Sequence, residues 1–161
     1  MLVIHSPHSK CSSMELFQDF IVAPMETLVL ISTLKQVPAG TNGGVSSLGL
    51  TVGFLGSLLI GLVCSISFTF FCGVHPTSFL LILFSVTLSG VLGNLLDSFL
   101  GSTLQYSGFD TVTNCVVRQP GENVKHISGR DVLGNSEINI ITSSVAGLIC
   151  GGLFLVLKTI M

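Results

Sequence analysis

The feature that most constrains this chain is a long stretch without charge. Residues 36–96, between Lys35 and Asp97, contain no Lys, Arg, Asp or Glu. Because a helix needs about 20 apolar residues to cross a bilayer, this stretch can hold two membrane-spanning helices. Of the 161 residues, 9% are charged, whereas soluble domains carry about 25% charge. The sequence therefore predicts an all-α integral membrane protein.

Three apolar runs are long enough to span a bilayer. The first two are predicted at residues 46–71 and 78–104, and the short turn between them makes them antiparallel. The third, residues 138–157, is uncharged and just long enough to cross. We interpret residues 1–35 as an extramembrane leader and residues 36–161 as a membrane domain.

The polar loop, residues 105–137, separates the second and third predicted spans. Two short β-prone stretches, residues 115–117 and 124–127, flank a Pro120-Gly121 turn signal and can pair as a small hairpin. With three spans, the leader and this loop lie on the same side of the membrane. The basic residues favour a cytoplasmic or equivalent location for that side, since only Lys158 lies on the other. They are Lys10, Lys35, Arg118, Lys125 and Arg130.

Small residues predict where the spans pack together. Helices in lipid associate where glycine lets backbones approach closely, so we expect the first two spans to meet through two glycine faces. These are Gly49, Gly53 and Gly56 on the first span and Gly90, Gly93 and Gly101 on the second. Gly147 and Gly151 form a similar edge on the third span.

Asp97 is a carboxylate within the second predicted span. A charged side chain at the bilayer centre costs about 2.5 to 3.5 kcal/mol, so Asp97 should face protein, water or a cation. Helical projection places Asn94 and Asp97 on one stripe with glycines, opposite a leucine-rich face. We therefore predict a polar centre of Asn94, Asp97 and, on the third span, Asn139. A structural alternative stays open, in which Asp97 only hydrogen-bonds a neighbouring helix.

A glycine-rich segment precedes the first span, with the sequence Gly40-Thr41-Asn42-Gly43-Gly44. Glycines permit close backbone approach, and a following helix N-terminus offers N–H groups to an anion. The alternative is an ordinary capped turn, and the Walker spacing is absent. The net charge of −2 provides no basic field for nucleic acid, and the scattered Cys and His residues do not have zinc-site spacing.

Three sequence blocks, in this order, resemble the transmembrane protein 19 family, also called domain of unknown function 92. They are Gly40-Thr-Asn-Gly-Gly-Val45, residues 90–110 (GVLGNLLDSFLGSTLQYSGFD) and Lys125-His-Ile-Ser-Gly129. The resemblance covers roughly residues 30–157 and implies the C-terminal half of a multi-span domain. A plant member phosphorylates phytyl phosphate, which implies nucleotide-dependent phosphorylation of an isoprenoid phosphate in an endomembrane or plastid envelope. The family's upstream Gly-Asp-Thr motif and Ser-Glu pair are absent from residues 1–34, which suggests a truncated product.

Three functions stay open, and whether the chain is an enzyme stays open with them. The first is a prenyl-phosphate kinase using Mg²⁺ and a nucleoside triphosphate, because phosphoryl transfer needs positioned metal carboxylates and cationic groups. For it we expect Asp97 to bind the metal and Asp97, Asn94 and Lys125 to act in catalysis. The expected cofactor-binding residues are Gly40, Thr41, Asn42, Gly43, Gly44, His126 and Arg130. The second function is half of a transporter with Asp97 in an ion path, and the third is a noncatalytic fragment that packs with other helices or with itself.

Overall fold

The computed structural model describes residues 28–73 and 75–160. Residues 1–27, which make up most of the predicted leader, lie outside this part. Within it, three helices are long and apolar enough to cross a membrane, which confirms the predicted class. They are α1 (Ser47–Cys72), α2 (Pro76–Leu104) and α3 (Asn135–Ile160). The third begins earlier and ends later than the predicted 138–157, because polar residues at both of its ends extend the helix beyond its uncharged run.

Local capping explains where the first two helices begin and end. The Ser46 hydroxyl accepts a hydrogen bond from the Gly49 amide at 3.0 Å and caps the N-terminus of α1. At the other end of α1, Gly73 adopts a left-handed φ of 60° and its amide donates to Thr69 O. α2 then begins with Pro76, which has no amide hydrogen to leave unbonded in the first turn.

α2 is the central helix. It packs against both α1 and α3, whereas α1 and α3 make no comparable contact with each other. Helix contacts use small residues, as expected for packing in lipid, but not all of the predicted ones. Gly53 lies under the Asn94 side chain and Gly90 lies against Ser57, which agrees with the predicted faces.

Four of the six glycines predicted at the contact of the first two spans differ from this pattern, and the predicted edge of Gly147 and Gly151 has no neighbour among the described residues. Gly49 lies near only the Ser46 hydroxyl of its own helix cap. Gly56 has no neighbour within 4 Å of the position a Cβ would take, Gly93 faces Ala146 of α3, and Gly101 faces Gly43. The reason is rotation along the helix. Glycines three or eight residues apart point in directions that differ by tens of degrees, so a helix with two neighbours distributes them between both.

Two three-stranded antiparallel sheets cover one end of the bundle. In the first, β1 (Leu28–Leu30) lies between β2 (Gln36–Val37) and β3 (Gly44–Val45). In the second, β4 (Ser107–Asp110) lies between β5 (Cys115–Val117) and β6 (Val124–Ser128). The first sheet was not foreseen from the sequence, because its strands have only two or three residues each.

The predicted pairing of residues 115–117 with residues 124–127 is wrong, because both strands pair with β4 instead. A tight turn after β4 decides this. The Asp110 carboxylate accepts hydrogen bonds from the Val112 amide and the Thr113 hydroxyl, each at 2.9 Å, and Asn114 adopts a φ of 54°. This turn reverses the chain directly into β5, so the hairpin forms at Asp110 and not at Pro120-Gly121.

Both sheets lie where α1 begins, α2 ends and α3 begins, so they share one membrane surface. Lys35, Arg118, Lys125 and Arg130 belong to these segments, while Lys158 is at the opposite end of α3. The three-span arrangement therefore brings the glycine-rich segment, the end of α2 and the polar loop together. That this surface faces the cytoplasm or an equivalent compartment stays a prediction.

Candidate functional site

Asp97 is half-buried between α2 and α3. Its carboxylate oxygen Oδ1 lies 3.4 Å from the hydroxyl of Thr142, a buried residue of α3 that can donate a hydrogen bond to it. The same hydroxyl lies 3.3 Å from Asn139 O. Asp97 is thus an acid inside the bundle, and its hydrogen-bond partner Thr142 lies on the neighbouring helix.

The other two members of the predicted polar centre lie at its edges. Asn94 is exposed, and its amide nitrogen is over Gly53 of α1, so it faces a different helix from Asp97. Asn139 is also exposed, and Thr142, three residues later, takes the expected position beside Asp97. Sequence reasoning missed Thr142 because the rotation of α3 about its axis is set by the packing of Ile138, which is 1% exposed.

The glycine-rich segment packs onto the last turns of α2. Gly43 has a φ of 74°, and a Cβ there would overlap the Ser98 carbonyl oxygen and the Ser102 backbone. Only glycine allows this approach, since it lacks a Cβ and accepts positive φ. Ser98 follows Asp97 directly, so the segment reaches the level of the intramembrane carboxylate.

Hydrogen bonds fasten this segment to the polar loop. The Asn42 amide donates to Ser107 Oγ at 3.0 Å, and the Asn42 side chain donates to Tyr106 O at 3.1 Å. The Gly44 amide donates to Thr41 O at 3.1 Å. The backbone amides of Asn42 and Gly44 are therefore engaged inside the protein, and Gly40 reaches the second sheet, where a Cβ would lie 3.6 Å from Val116 Cβ.

Lys125, His126 and Arg130 are all exposed on or just after β6. Two of them line an open cleft of about 440 Å³, which we call the interfacial cleft. Its lining residues are Thr103, Leu104, His126, Gly129 and Arg130. Lys125 is not among them, because adjacent residues of a strand point to opposite faces of the sheet.

The predicted site residues other than Lys125 therefore lie at two places. Thr103, on the cleft, lies six residues after Asp97, which is about 9 Å along the axis of α2 and about 120° around it. Asp97 and the Gly43 segment lie at one place, with Asn94 on the adjoining face toward α1, and His126 with Arg130 lies at the other. Within the described residues no three His, Cys, Asp or Glu side chains come close enough to hold a metal ion together.

Comparison with known proteins identifies the family of this chain. Residues 22–147 match the family described as integral membrane protein DUF92. The chain is similar to Protein PGR of Arabidopsis thaliana, with 42% identity over 116 residues, covering 70% of this chain and 40% of the relative. It is also similar to the uncharacterized membrane protein MJ0933 of Methanocaldococcus jannaschii, with 28% identity over 124 residues, covering 74% of this chain and 37% of that protein. The chain thus spans about 40% of the length of these relatives, and no solved structure matches it.

Proposed function

Because the chain belongs to the DUF92 family of integral membrane proteins, we propose that it forms part of a multi-pass membrane phosphotransferase acting on a prenyl phosphate. The observation that carries the proposal is the position of Asp97. Placing a carboxylate half-buried between two spans has a desolvation cost, and polar groups within membrane spans commonly mark substrate or ion sites.

The depth of Asp97 suits a lipid-borne phosphate. α2 has 29 residues and is therefore about 43 Å long, whereas the hydrocarbon core is about 30 Å thick. If the helix is centred, the core boundary lies about 7 Å from the helix end. Asp97 precedes Leu104 by seven residues, or about 10 Å, so it lies a few ångströms inside that boundary.

The residues around Asp97 would supply part of the coordination shell of an Mg²⁺ ion, and oxygens of the substrate would complete that shell. Mg²⁺ is usually held by one or two carboxylates, with phosphate oxygens and waters supplying its other ligands. Here Asp97 would supply the carboxylate and Thr142 a hydroxyl oxygen, and the described residues offer no full protein cage. Bound there, the metal would neutralise charge on the phosphates.

The other predicted residues have supporting roles in this proposal. The Asn94 amide, one helical turn before Asp97, would donate a hydrogen bond to a phosphate oxygen. Lys125 would attract the phosphates of a nucleoside triphosphate at the membrane surface, and the segment from Gly40 to Gly44 would hold the end of α2 in place. Phosphoryl transfer needs little else from a protein than such positioning and charge neutralisation.

A second function is favoured by one contact. The Thr142 hydroxyl beside Asp97 is the kind of polar pairing that holds membrane helices together without any chemistry. On this alternative the chain is a noncatalytic membrane protein that packs with other helices, and Asp97 is a structural acid.

The test is turnover in membranes from cells that express the chain. Phytyl phosphate and a labelled nucleoside triphosphate are supplied over a magnesium titration, and formation of the diphosphate is measured. Asp97→Asn should lower magnesium-dependent turnover about 100-fold or more, since it removes the charge but keeps the shape.

The matched control is Asp110→Asn, which makes the same change in the exposed turn after β4 and should leave turnover unchanged. Turnover that survives Asp97→Asn would exclude the catalytic role and favour the packing function.

A further inference from the structure

The interfacial cleft lies at the C-terminal end of α2, and the carbonyl groups of Thr103 and Leu104 beside it are hydrogen-bonded. The last carbonyl groups of a helix carry partial negative charge when they are left unpaired. Here the Arg130 amide donates to Thr103 O at 3.0 Å, and the Val132 and Leu133 amides donate to Leu104 O at 3.1 and 3.2 Å. The carbonyls beside the cleft are therefore capped.

Two basic side chains are positioned at this cleft. Arg130 is held by its own backbone bond to Thr103, and within the described part of the chain its guanidinium has no recorded ion pair. The His126 ring lies 2.8 Å from Gly129 O through Nε2, which must be the donor because a carbonyl can only accept. Gly129 has a φ of 72° and lies against the Gln105 backbone, so this turn has no room for a side chain.

The cleft lies at the membrane-surface end of an apolar flank of α2. The Thr103 hydroxyl donates to Phe99 O at 2.9 Å, one turn further into the membrane. Phe99 is 48% exposed, and Leu92, two turns deeper on the same flank, is 39% exposed. The apolar chain of a lipid can lie along this flank while its headgroup reaches the cleft.

We propose that the interfacial cleft binds the phosphate monoester headgroup of a bilayer-anchored amphiphile, with the Arg130 guanidinium as its main ligand. Arginine binds phosphate through paired hydrogen bonds, and basic pockets at the ends of membrane helices are typical headgroup sites. The inference goes beyond the proposed function, because the cleft lies on a different flank of α2 from Asp97 and its binding requires no catalysis.

The fluorescence of Tyr106 can report binding at this site. The chain contains one tyrosine and no tryptophan, and the Tyr106 ring centroid is 5.3 Å from that of His126. Tyr106 fluorescence of the whole chain in phosphatidylcholine nanodiscs is followed as phosphatidic acid, which has a phosphate monoester headgroup, is added. We expect a saturable change in emission. Discs with phosphatidylserine, and inorganic phosphate added to pure phosphatidylcholine discs, test charge alone and a soluble phosphate.

Arg130→Gln should raise the half-saturating fraction of phosphatidic acid about tenfold or more. Arg118→Gln removes another exposed arginine, from the same loop but outside the cleft, and should change the half-saturating fraction less than about twofold. Arg130→Lys keeps the charge but loses the paired hydrogen bonds, so its binding should be weaker than that of wild type and clearly stronger than that of Arg130→Gln. This intermediate binding guards against a folding defect in the glutamine variant.

Equal losses in Arg130→Gln and Arg118→Gln would overturn the proposal, since they would indicate only a general surface charge. An equal response to phosphatidylserine would overturn it as well, because the site would then bind any anionic lipid and not a phosphate monoester. An equal response to inorganic phosphate would also overturn it, because the site would then not require a membrane-borne ligand.

Discussion

Replacing Gly43 with alanine should detach the glycine-rich segment from α2. The residue combines a φ of 74° with backbone contact to Ser98 and Ser102, so an added Cβ meets rigid atoms that cannot rotate away. The hydrogen bonds of Asn42 to Tyr106 and Ser107 depend on the same close approach.

The expected magnitude has two parts. Holding an alanine in the left-handed region costs about 1–2 kcal/mol, and overpacking costs about 1–3 kcal/mol more. The matched control is Gly56→Ala, a substitution inside α1 where no atom beyond the local backbone of α1 lies within 4 Å of the new Cβ. It should be neutral or stabilise by about 0.5–1 kcal/mol, because alanine is the better helix former.

The two variants are compared with wild type by thermal unfolding in detergent, followed by far-ultraviolet circular dichroism at one scan rate. At about 2–4 °C per kcal/mol for a protein of this size, Gly43→Ala should lower the apparent Tm by at least about 4 °C. Gly56→Ala should leave it unchanged or raise it slightly. A Tm for Gly43→Ala within about 1 °C of wild type would refute the close contact between the segment and α2.

Three further outcomes are expected. In single-cysteine proteins, an impermeant thiol reagent should label Cys115 and Cys72 from opposite sides of the membrane; labelling from the same side would exclude the three-span topology. Gly53→Leu should lower the yield of folded protein more than Leu58→Phe, because it fills the contact between α1 and α2, and equal yields would contradict that packing. Hydrogen bonds from the Val112 amide and the Thr113 hydroxyl lower the pKa of Asp110. The ionised carboxylate therefore stabilises the folded protein fully above about pH 4, and this stabilisation is lost as the pH falls through the lowered pKa. Asp110→Asn should therefore reduce the loss of stability in acid, measured by unfolding at a series of pH values, and an unchanged acid profile would show that the turn makes no such contribution.

The membrane class and the three spans follow from the sequence alone. Hydropathy and length are local properties, and the uncharged run of residues 36–96 is long and apolar enough to contain two spans. The same reasoning locates Asp97 near one membrane surface, because the distance along a helix depends only on the number of residues. It also predicts that the glycine-rich segment, the end of α2 and the polar loop share that surface.

Only the tertiary structure decided which side chains meet. The periodicity of a helix gives the angles between its own residues, but not the neighbour that each face receives, and α2 has neighbours on two sides. For this reason Thr142 took the place expected of Asn139, and Gly93 turned to α3. The strand pairing depended on a side-chain turn at Asp110, and His126 met Arg130 across a cleft that no linear spacing marks. Such contacts join residues distant in the chain, so their geometry is determined by packing and by the cost of leaving polar groups unpaired, and not by any local pattern.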